Sequence, residues 1–348
     1  MTGRALILAV SFGPHRGRKA ALHAGDTLCV GRSDLAGFSL PHDGQLSAKH
    51  FELTWDGRAA RLRDLESIGG TRLNGEQKTE GDVPHGAWIR AGATDFTVHV
   101  EAHTPPAPDD DDEPPPAPAA AAPGEEEPPF PAEPPDPEPD DGALFSDDAE
   151  VRWNARQAAK AAHAERARQK AAAAAALPIL TAAAREAPLH AVLDAARTPR
   201  ILEILRESVE EHRSLYEGVQ GEALDDVAPY LVRLSPGSRL LEQLVREGWG
   251  RRWGIYLLGE LRQRDLRRHL RRFLMVEDDA TRDRLYFRYY DPGVLRDLWP
   301  TCSRRQRDEL VGPLRGYLVE GPRGEVLKLG ADRAPSPLAA PSLPSSHG

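Results

Sequence analysis

The sequence predicts a multidomain chain: an N-terminal all-β sandwich, an acidic Pro-rich linker, an Ala-rich basic helix and a C-terminal α/β domain. Three observations carry this. Short alternating apolar runs divided by turn signals fill the first 100 or so residues, a Pro- and acid-rich stretch with almost no aliphatic or aromatic content follows, and strand-like and helical runs then alternate to about Gly330. At 348 residues the chain is long enough for two domains with a core each. The expected boundaries are 1–101 for the sandwich, 102–150 for the linker, 151–186 for the helix, 187–330 for the α/β domain and 331–348 for a disordered tail.

In the first segment HFELTW places Phe51, Leu53 and Trp55 on one face, Asp56-Gly57 turns the chain, and RAARLRDL returns with Ala60 and Leu62 inward. DFTVHV repeats the device, with Phe96, Val98 and Val100 on one face and Thr97 and His99 on the other. Many short strands at this spacing argue for a sandwich. Residues 102–148 are Pro, Ala, Asp and Glu, a composition that cannot bury enough surface to offset chain entropy, so they read as a disordered, extended spacer. VRWNARQAAKAAHAERARQKAAAAAALP consists of strong helix formers and is expected to be helical until Pro178, either bridging solvent or docked through alanines.

Beyond Pro188, LHAVLDAA, PYLVRL, WGIYLL and RLYFRYYD read as strands. RILEILRESVEEH, SRLLEQLVREGW with Ser238 as N-cap, LRQRDLRRHLRRFL and PGVLRDLW with Pro292 in its first turn read as helices. In LRQRDLRRHLRRFL the apolar face is Leu261, Leu266, Leu270 and Phe273, and His269 is expected on the exposed face.

The formal net charge is −9, yet residues 102–150 hold roughly 16 carboxylates and no Lys or Arg, which leaves the remainder positive by roughly 7. Cys29 and Cys302 are the only cysteines and lie far apart, so neither a disulfide framework nor a thiolate metal site is implied and a reducing cytoplasm fits best. No window approaches the roughly 18 apolar residues a membrane span needs.

The sequence carries no phosphate-binding G-x-x-x-x-G-K-[ST], no H-E-x-x-H, no G-x-S-x-G and no Cys/His cluster with ligand spacing, so no catalytic, metal or cofactor site is expected. GWGRRWG, from Gly248 to Gly254, has one residue too many for a dinucleotide fingerprint and follows a helix; it reads as a tight turn with Trp249 and Trp253 packed inward. The arginines of LRQRDLRRHLRRF lack an interleaved aromatic platform and read as a solvated helix face, not as a nucleic-acid surface.

One loop cluster does carry chemistry. SAKH, with Ser47 and His50, and ESIGGTRLNG are expected at one end of the sandwich beside CVGRSD, which supplies Arg32. A guanidinium can grip a phosphate through two parallel hydrogen bonds, a Ser hydroxyl and a backbone N–H can take a further oxygen, and nothing in the set can hydrolyse it. The order Gly31-Arg32, Ser47-x-x-His50 and Asp64-Leu65-x-Ser67-x-Gly69-Gly70-Thr71-x-x-Asn74-Gly75 resembles the forkhead-associated (FHA) domain over about the first 100 residues. The resemblance implies that Arg32 and Ser47 bind phosphothreonine, that His50 props the loop from behind, and that Gly31, Gly70, Thr71 and Asn74 support the recognition loops. It also marks a departure: the family usually has Asn where this chain has Gly69, and that asparagine generally holds the peptide backbone beside the phosphothreonine.

The second half resembles another family. LHAVLDAARTPRILEILRE, YLVRL, EGWGRRWGIYLL, LRRHLRRFLMV, YFRYYDPGVLRDLWP and GPLRGYLVE together look like an adaptor domain, once labelled only as of unknown function, that accompanies bacterial type VI secretion systems. The resemblance implies a non-catalytic chaperone that loads toxic effectors onto the tip of the spike protein. Within YFRYYDP, Phe287 and Tyr289 are expected in the core and Arg288 and Asp291 as a structural pair or turn.

The expected function is thus a cytoplasmic adaptor that binds a phosphothreonine-containing protein, a spike protein and an effector, with a Ser/Thr kinase among its partner classes and neither nucleic acid nor membrane. The FHA domain is expected to act as a hook on the flexible spacer. The competing reading is a phosphothreonine-dependent signalling scaffold unrelated to secretion.

Overall fold

A computed structural model describes residues 3–106, 147–217, 224–277, 282–331 and 333–338. The described residues up to Pro105 together with those from Ala172 onward form one compact unit. The expected spacer lies for the most part outside the described residues.

The N-terminal strands are β1 (Leu6–Phe12), β2 (Lys19–Leu22), β3 (Thr27–Gly31), β4 (Phe38–Ser39), β5 (Phe51–Trp55), β6 (Ala60–Asp64), β7 (Thr71–Leu73), β8 (Glu76–Lys78), β9 (Glu80–Val83), β10 (Trp88–Ala91) and β11 (Thr94–Val100). They form a six-stranded sheet in the order β2-β1-β11-β10-β7-β8 and a five-stranded sheet in the order β4-β3-β5-β6-β9. The period-two pattern read from the sequence is what closes the sandwich: Phe51, Leu53 and Trp55 of β5, Ala60 and Leu62 of β6, and Phe96 and Val98 of β11 are all buried in one core. Phe51 and Phe96 meet edge to face at 5.6 Å between ring centres.

After the long helix α1 (Asp147–Glu186) the order is β12 (Leu189–Asp194), α2 (Arg200–Arg206), β13 (His212–Ser214), β14 (Pro229–Leu234), α3 (Arg239–Gly248) and β15 (Gly254–Leu258). It continues with α4 (Gln263–Arg271), β16 (Met275–Glu277), β17 (Arg284–Tyr286), α5 (Pro292–Leu298), α6 (Arg304–Val311), β18 (Gly316–Glu320), β19 (Val326–Gly330) and β20 (Arg333–Pro337). Seven strands, ordered β13-β14-β12-β15-β18-β19-β20, make one sheet whose pairings are antiparallel. Helices cover both faces. Leu189, Ala191 and Leu193 of β12 pack with α2, α3 and the end of α1, whereas Val192 and the Ile255 and Leu257 side chains of β15 pack with α4, α5 and α6. Coverage of both faces explains why every residue of LHAVLD and all but the first of GIYLL are buried.

Several expectations are corrected. Helix α1 continues through Pro178 to Glu186, because Ala176, Leu180, Ala183 and Ala184 form a stripe buried in the core, and that burial offsets the backbone hydrogen bond the proline removes. Helix α2 ends at Arg206, and His212 begins an edge strand paired with β14 instead of extending a helix. RLYFRYYD is a strand only over Arg284–Tyr286, and the expected tail starts with β20, hydrogen-bonded to β19. His269 is buried, its Nε2 at 3.0 Å from the Leu310 carbonyl, since the helix presents it to α6. Trp249 and Trp253 are buried as expected, and Ser238 caps α3 by accepting from the Leu241 N–H.

The sandwich is not a free hook. Lys19 of β2 and Glu101, just past β11, meet the C-terminal region: Lys19 donates through Nζ to the Leu205 carbonyl at 2.7 Å and to that of Ser208, and Arg239 bonds Glu101 at 3.2 Å. Residues 102–104, expected in the spacer, are pinned as well. The Ala102 N–H donates to the Glu207 carbonyl, Thr104 donates to the Glu207 carboxylate, and Arg200 donates to the Thr104 carbonyl at 2.9 Å. The outer face of β1 is accordingly buried at Ile7, outside the sandwich core.

Candidate phosphate-reading site

Three loops at one end of the sandwich bring the expected residues together. Arg32 follows β3, Ser47 precedes β5, and residues 65–70 join β6 to β7. The Arg32 N–H donates to the Ser47 carbonyl at 2.9 Å and the Ser33 N–H to that of Ala48 at 3.1 Å, so the two loops are stitched backbone to backbone. Gly31 allows this approach: a Cβ there would stand 2.2 Å from the Ala48 carbonyl oxygen.

His50 supports the cluster from behind. It is fully buried; its Nδ1 accepts from the Ser47 N–H at 3.0 Å, which puts the ring proton on Nε2, and Nε2 donates to the Gly70 carbonyl at 3.2 Å. One imidazole therefore spans two loops. The Ser47 hydroxyl oxygen accepts from the Ile68 N–H at 3.1 Å, leaving its own O–H to donate outward. Arg32 is exposed, and its guanidinium makes one long contact, 3.4 Å, with the Gly44 carbonyl.

The third loop is folded around Asp64. That carboxylate accepts from the Ser67 N–H at 3.1 Å, the Ser67 hydroxyl at 2.6 Å and the buried Thr71 hydroxyl at 3.0 Å. Asn74 takes the left-handed backbone at φ 51° and its side-chain oxygen accepts from the Trp88 N–H at 2.8 Å, which fixes the β7–β8 turn. Gly70 also has a positive φ, 68°. Gly69 faces open space, with nothing within 4 Å of where its Cβ would be.

Sequence reasoning missed Asp43, which is buried and accepts from the Gln45 N–H, the Ala93 N–H at 2.9 Å and the Thr94 hydroxyl at 2.6 Å, anchoring the loop that ends at Ser47. Its signal was the Asx-turn pattern Asp43-Gly44. It also missed Leu35 and Ile68, aliphatic side chains 84% and 98% exposed on the same loops. In the C-terminal region Arg288 and Asp291 do not pair through their side chains but close a turn, as the second expected alternative has it, with the Asp291 N–H donating to the Arg288 carbonyl at 3.0 Å. Arg288 bonds Asp194, while Asp291 caps α5 through the Gly293 N–H and holds Arg197 and Arg252. Tyr289 is fully buried and Phe287 packs against the same core, as expected.

Among the described residues no group of His, Cys, Asp and Glu could hold a metal ion, and no helix is long and apolar enough to cross a membrane.

A β-sandwich presenting braced polar loops, followed by a helix-covered sheet, defines a chain of two interaction modules. Residues 28–92 match the family model of the FHA domain, and residues 189–309 match that of a domain of unknown function, DUF4123. The sandwich is an FHA domain and the C-terminal region a DUF4123 domain. The FHA domain-containing protein FhaA of Mycobacterium tuberculosis is 37% identical over 84 residues, which are 24% of this chain and 16% of that protein. A solved domain from work on phosphothreonine-dependent FHA domain interactions is 34% identical over 27% of this chain and 95% of its own, with a TM-score of 0.25. The FhaA FHA domain, solved in complex with the intracellular domain of another protein, is 34% identical over 27% of this chain and 99% of its own, also with a TM-score of 0.25.

Proposed function

We propose that this protein is a non-catalytic cytoplasmic adaptor: its FHA domain docks a phosphothreonine-bearing partner through Arg32 and Ser47, and its DUF4123 domain loads a type VI secretion effector onto the spike protein. The observation that carries the first half is the placement of an exposed guanidinium and a serine hydroxyl on loops stitched at 2.9 Å and braced by a buried histidine. Such a pair suits a phosphate, with the arginine supplying charge and parallel donors and the serine a further donor. The match of residues 28–92 to the FHA family model supports the same reading. The second half is supported by the DUF4123 match and by the sequence resemblance to effector-loading adaptors.

The reading places the phosphate reader on the body of the loader, so that a phosphothreonine on the secretion apparatus, or on a kinase that controls it, recruits effector and adaptor together. The test is co-purification of the full chain with spike and effector proteins, paired with an effector-delivery assay of Arg32→Ala. Retention of both partners with loss of delivery in Arg32→Ala is the expected result. Failure to retain either partner overturns the loading role, and unchanged delivery overturns phosphate-dependent recruitment.

A further inference from the structure

Where the FHA and DUF4123 domains meet, a cleft of about 590 Å³ remains open, and its lining is not that of an ordinary domain seam. From the FHA side it is lined by Arg16, Lys19 and His99, and from the other side by Arg206, His212 and Arg213. Lys19 uses two of its ammonium donors on the Leu205 and Ser208 carbonyls, at the end of α2, and its third has no acceptor among the described residues. Arg213 donates to the Arg16 carbonyl and has its nearest carboxylate, Glu211, only at 3.9 Å. His99 Nε2 and His212 Nδ1 are both buried without a hydrogen-bond partner.

Three acids, Glu217, Asp225 and Asp226, also line the cleft; Asp226 lies 4.0 Å from Arg206, and the other nearby acids except Glu211 are paired with groups other than Lys19, His99, His212 and Arg213. Asp225 is taken by Arg16, Glu217 by Arg267 and Arg271, Glu207 by Thr104, and Glu210 by the Ser208 and Ser238 hydroxyls. Burial, with Lys19, Arg213 and Arg206 close by, holds His212 well below the usual imidazole range. Burial also lowers Arg213, with Arg267 and Arg18 adding to it against the pull of Glu211. Two cations around the cavity share one carboxylate, Glu211, which stands 3.9 Å from Arg213 and accepts the Lys19 backbone N–H at 3.4 Å, and two imidazole nitrogens have no partner at all.

We propose that this cleft binds a small oxyanion, inorganic phosphate or a phosphomonoester, between Lys19 and His99 of the FHA domain and His212 and Arg213 of the DUF4123 domain. Each neutral imidazole can place its single N–H on the orphaned nitrogen and donate to an anion oxygen, alongside the free Lys19 donor and the Arg213 fork. Because the donors come from both domains, the anion holds them together. The site is separate from the Arg32–Ser47 loops and does not depend on their reading.

The test uses the full chain with Arg32→Ala, so that phosphate cannot report on the recognition loops. Thermal unfolding and calorimetric titration are followed with inorganic phosphate and, in a second arm, with AMP, against chloride at matched ionic strength. Phosphate or AMP is expected to raise the melting temperature, and Arg213→Gln to weaken binding about ten- to a hundredfold, the loss of a charge-assisted bond. Lys19→Met is expected to act likewise, and where that variant does not fold, Arg213→Gln decides. Tighter binding of AMP than of phosphate assigns a phosphomonoester, and the reverse assigns the free anion. No stabilisation by either probe, or stabilisation that Arg213→Gln leaves unchanged, overturns the proposal.

Discussion

The backbone N–H of Arg32 donates to the carbonyl of Ser47 at 2.9 Å, so the two side chains proposed to grip phosphate rise from a single cross-loop hydrogen bond. Their spacing is therefore a property of the scaffold and needs no ligand to assemble it, which reduces the ordering cost of binding.

Arg32→Ala should weaken binding of a phosphothreonine peptide by roughly ten- to a hundredfold, since charge-assisted bonds are worth about 1.5–3 kcal/mol. Calorimetric titration of wild type and variant with the same peptide measures this. The melting temperature should hardly change, because Arg32 is exposed and makes only one long contact.

Gly69→Asn should tighten peptide binding. The position faces open space, so the side chain enters without a clash and can bond the peptide backbone. Gly31→Ala should do the opposite and abolish binding, because its Cβ would lie 2.2 Å from the Ala48 carbonyl oxygen and force the Ser47 loop away. Peptide titration of both variants checks the pair.

Burial, with His85 and Lys19 nearby, pushes His99 down to about 4 from an ordinary 6.5. A depressed group binds fewer protons in the folded state, so its contribution is fully present above pH 6.5 and is lost as pH falls toward 4. Lys19, lowered by burial to about 7 against the opposing pull of Glu210 and Glu211, has the same sign in a higher window: stability rises from pH 7 toward 10.5. The melting temperature should therefore drop between pH 7 and pH 5, and His99→Asn should shrink that drop.

Asp291→Ala should destabilise the DUF4123 domain by about 1–3 kcal/mol, the scale for losing a helix cap and charge-assisted hydrogen bonds to two partly exposed arginines. Its carboxylate is 2% exposed, caps α5 and holds both Arg197 and Arg252. Chemical denaturation measures the loss.

Much of this was legible in the sequence, for identifiable reasons. Period-two runs with an Asp-Gly turn predict the strands of the sandwich, and the ordered loop motif predicts that Arg32, Ser47 and His50 lie together. What was not legible depended on contacts between distant segments. Pro178 reads as a stop until Leu180 and Ala183 are seen buried beyond it, and His269 reads as solvent-facing until α6 covers it. The docking of the two domains left one overlooked signal: ALILAV, from Ala5 to Val10, has no polar residue at any position, as a stretch buried on both sides requires.

The central claim is phosphate-dependent recruitment of a loader. Its most direct measurement is affinity capture with the full chain from native cell lysate, with and without phosphatase treatment, for wild type and Arg32→Ala, read by mass spectrometry. The account expects a phosphothreonine protein that disappears with phosphatase and with Arg32→Ala, while spike and effector proteins are captured throughout. A partner set that neither phosphatase nor Arg32→Ala alters would contradict it.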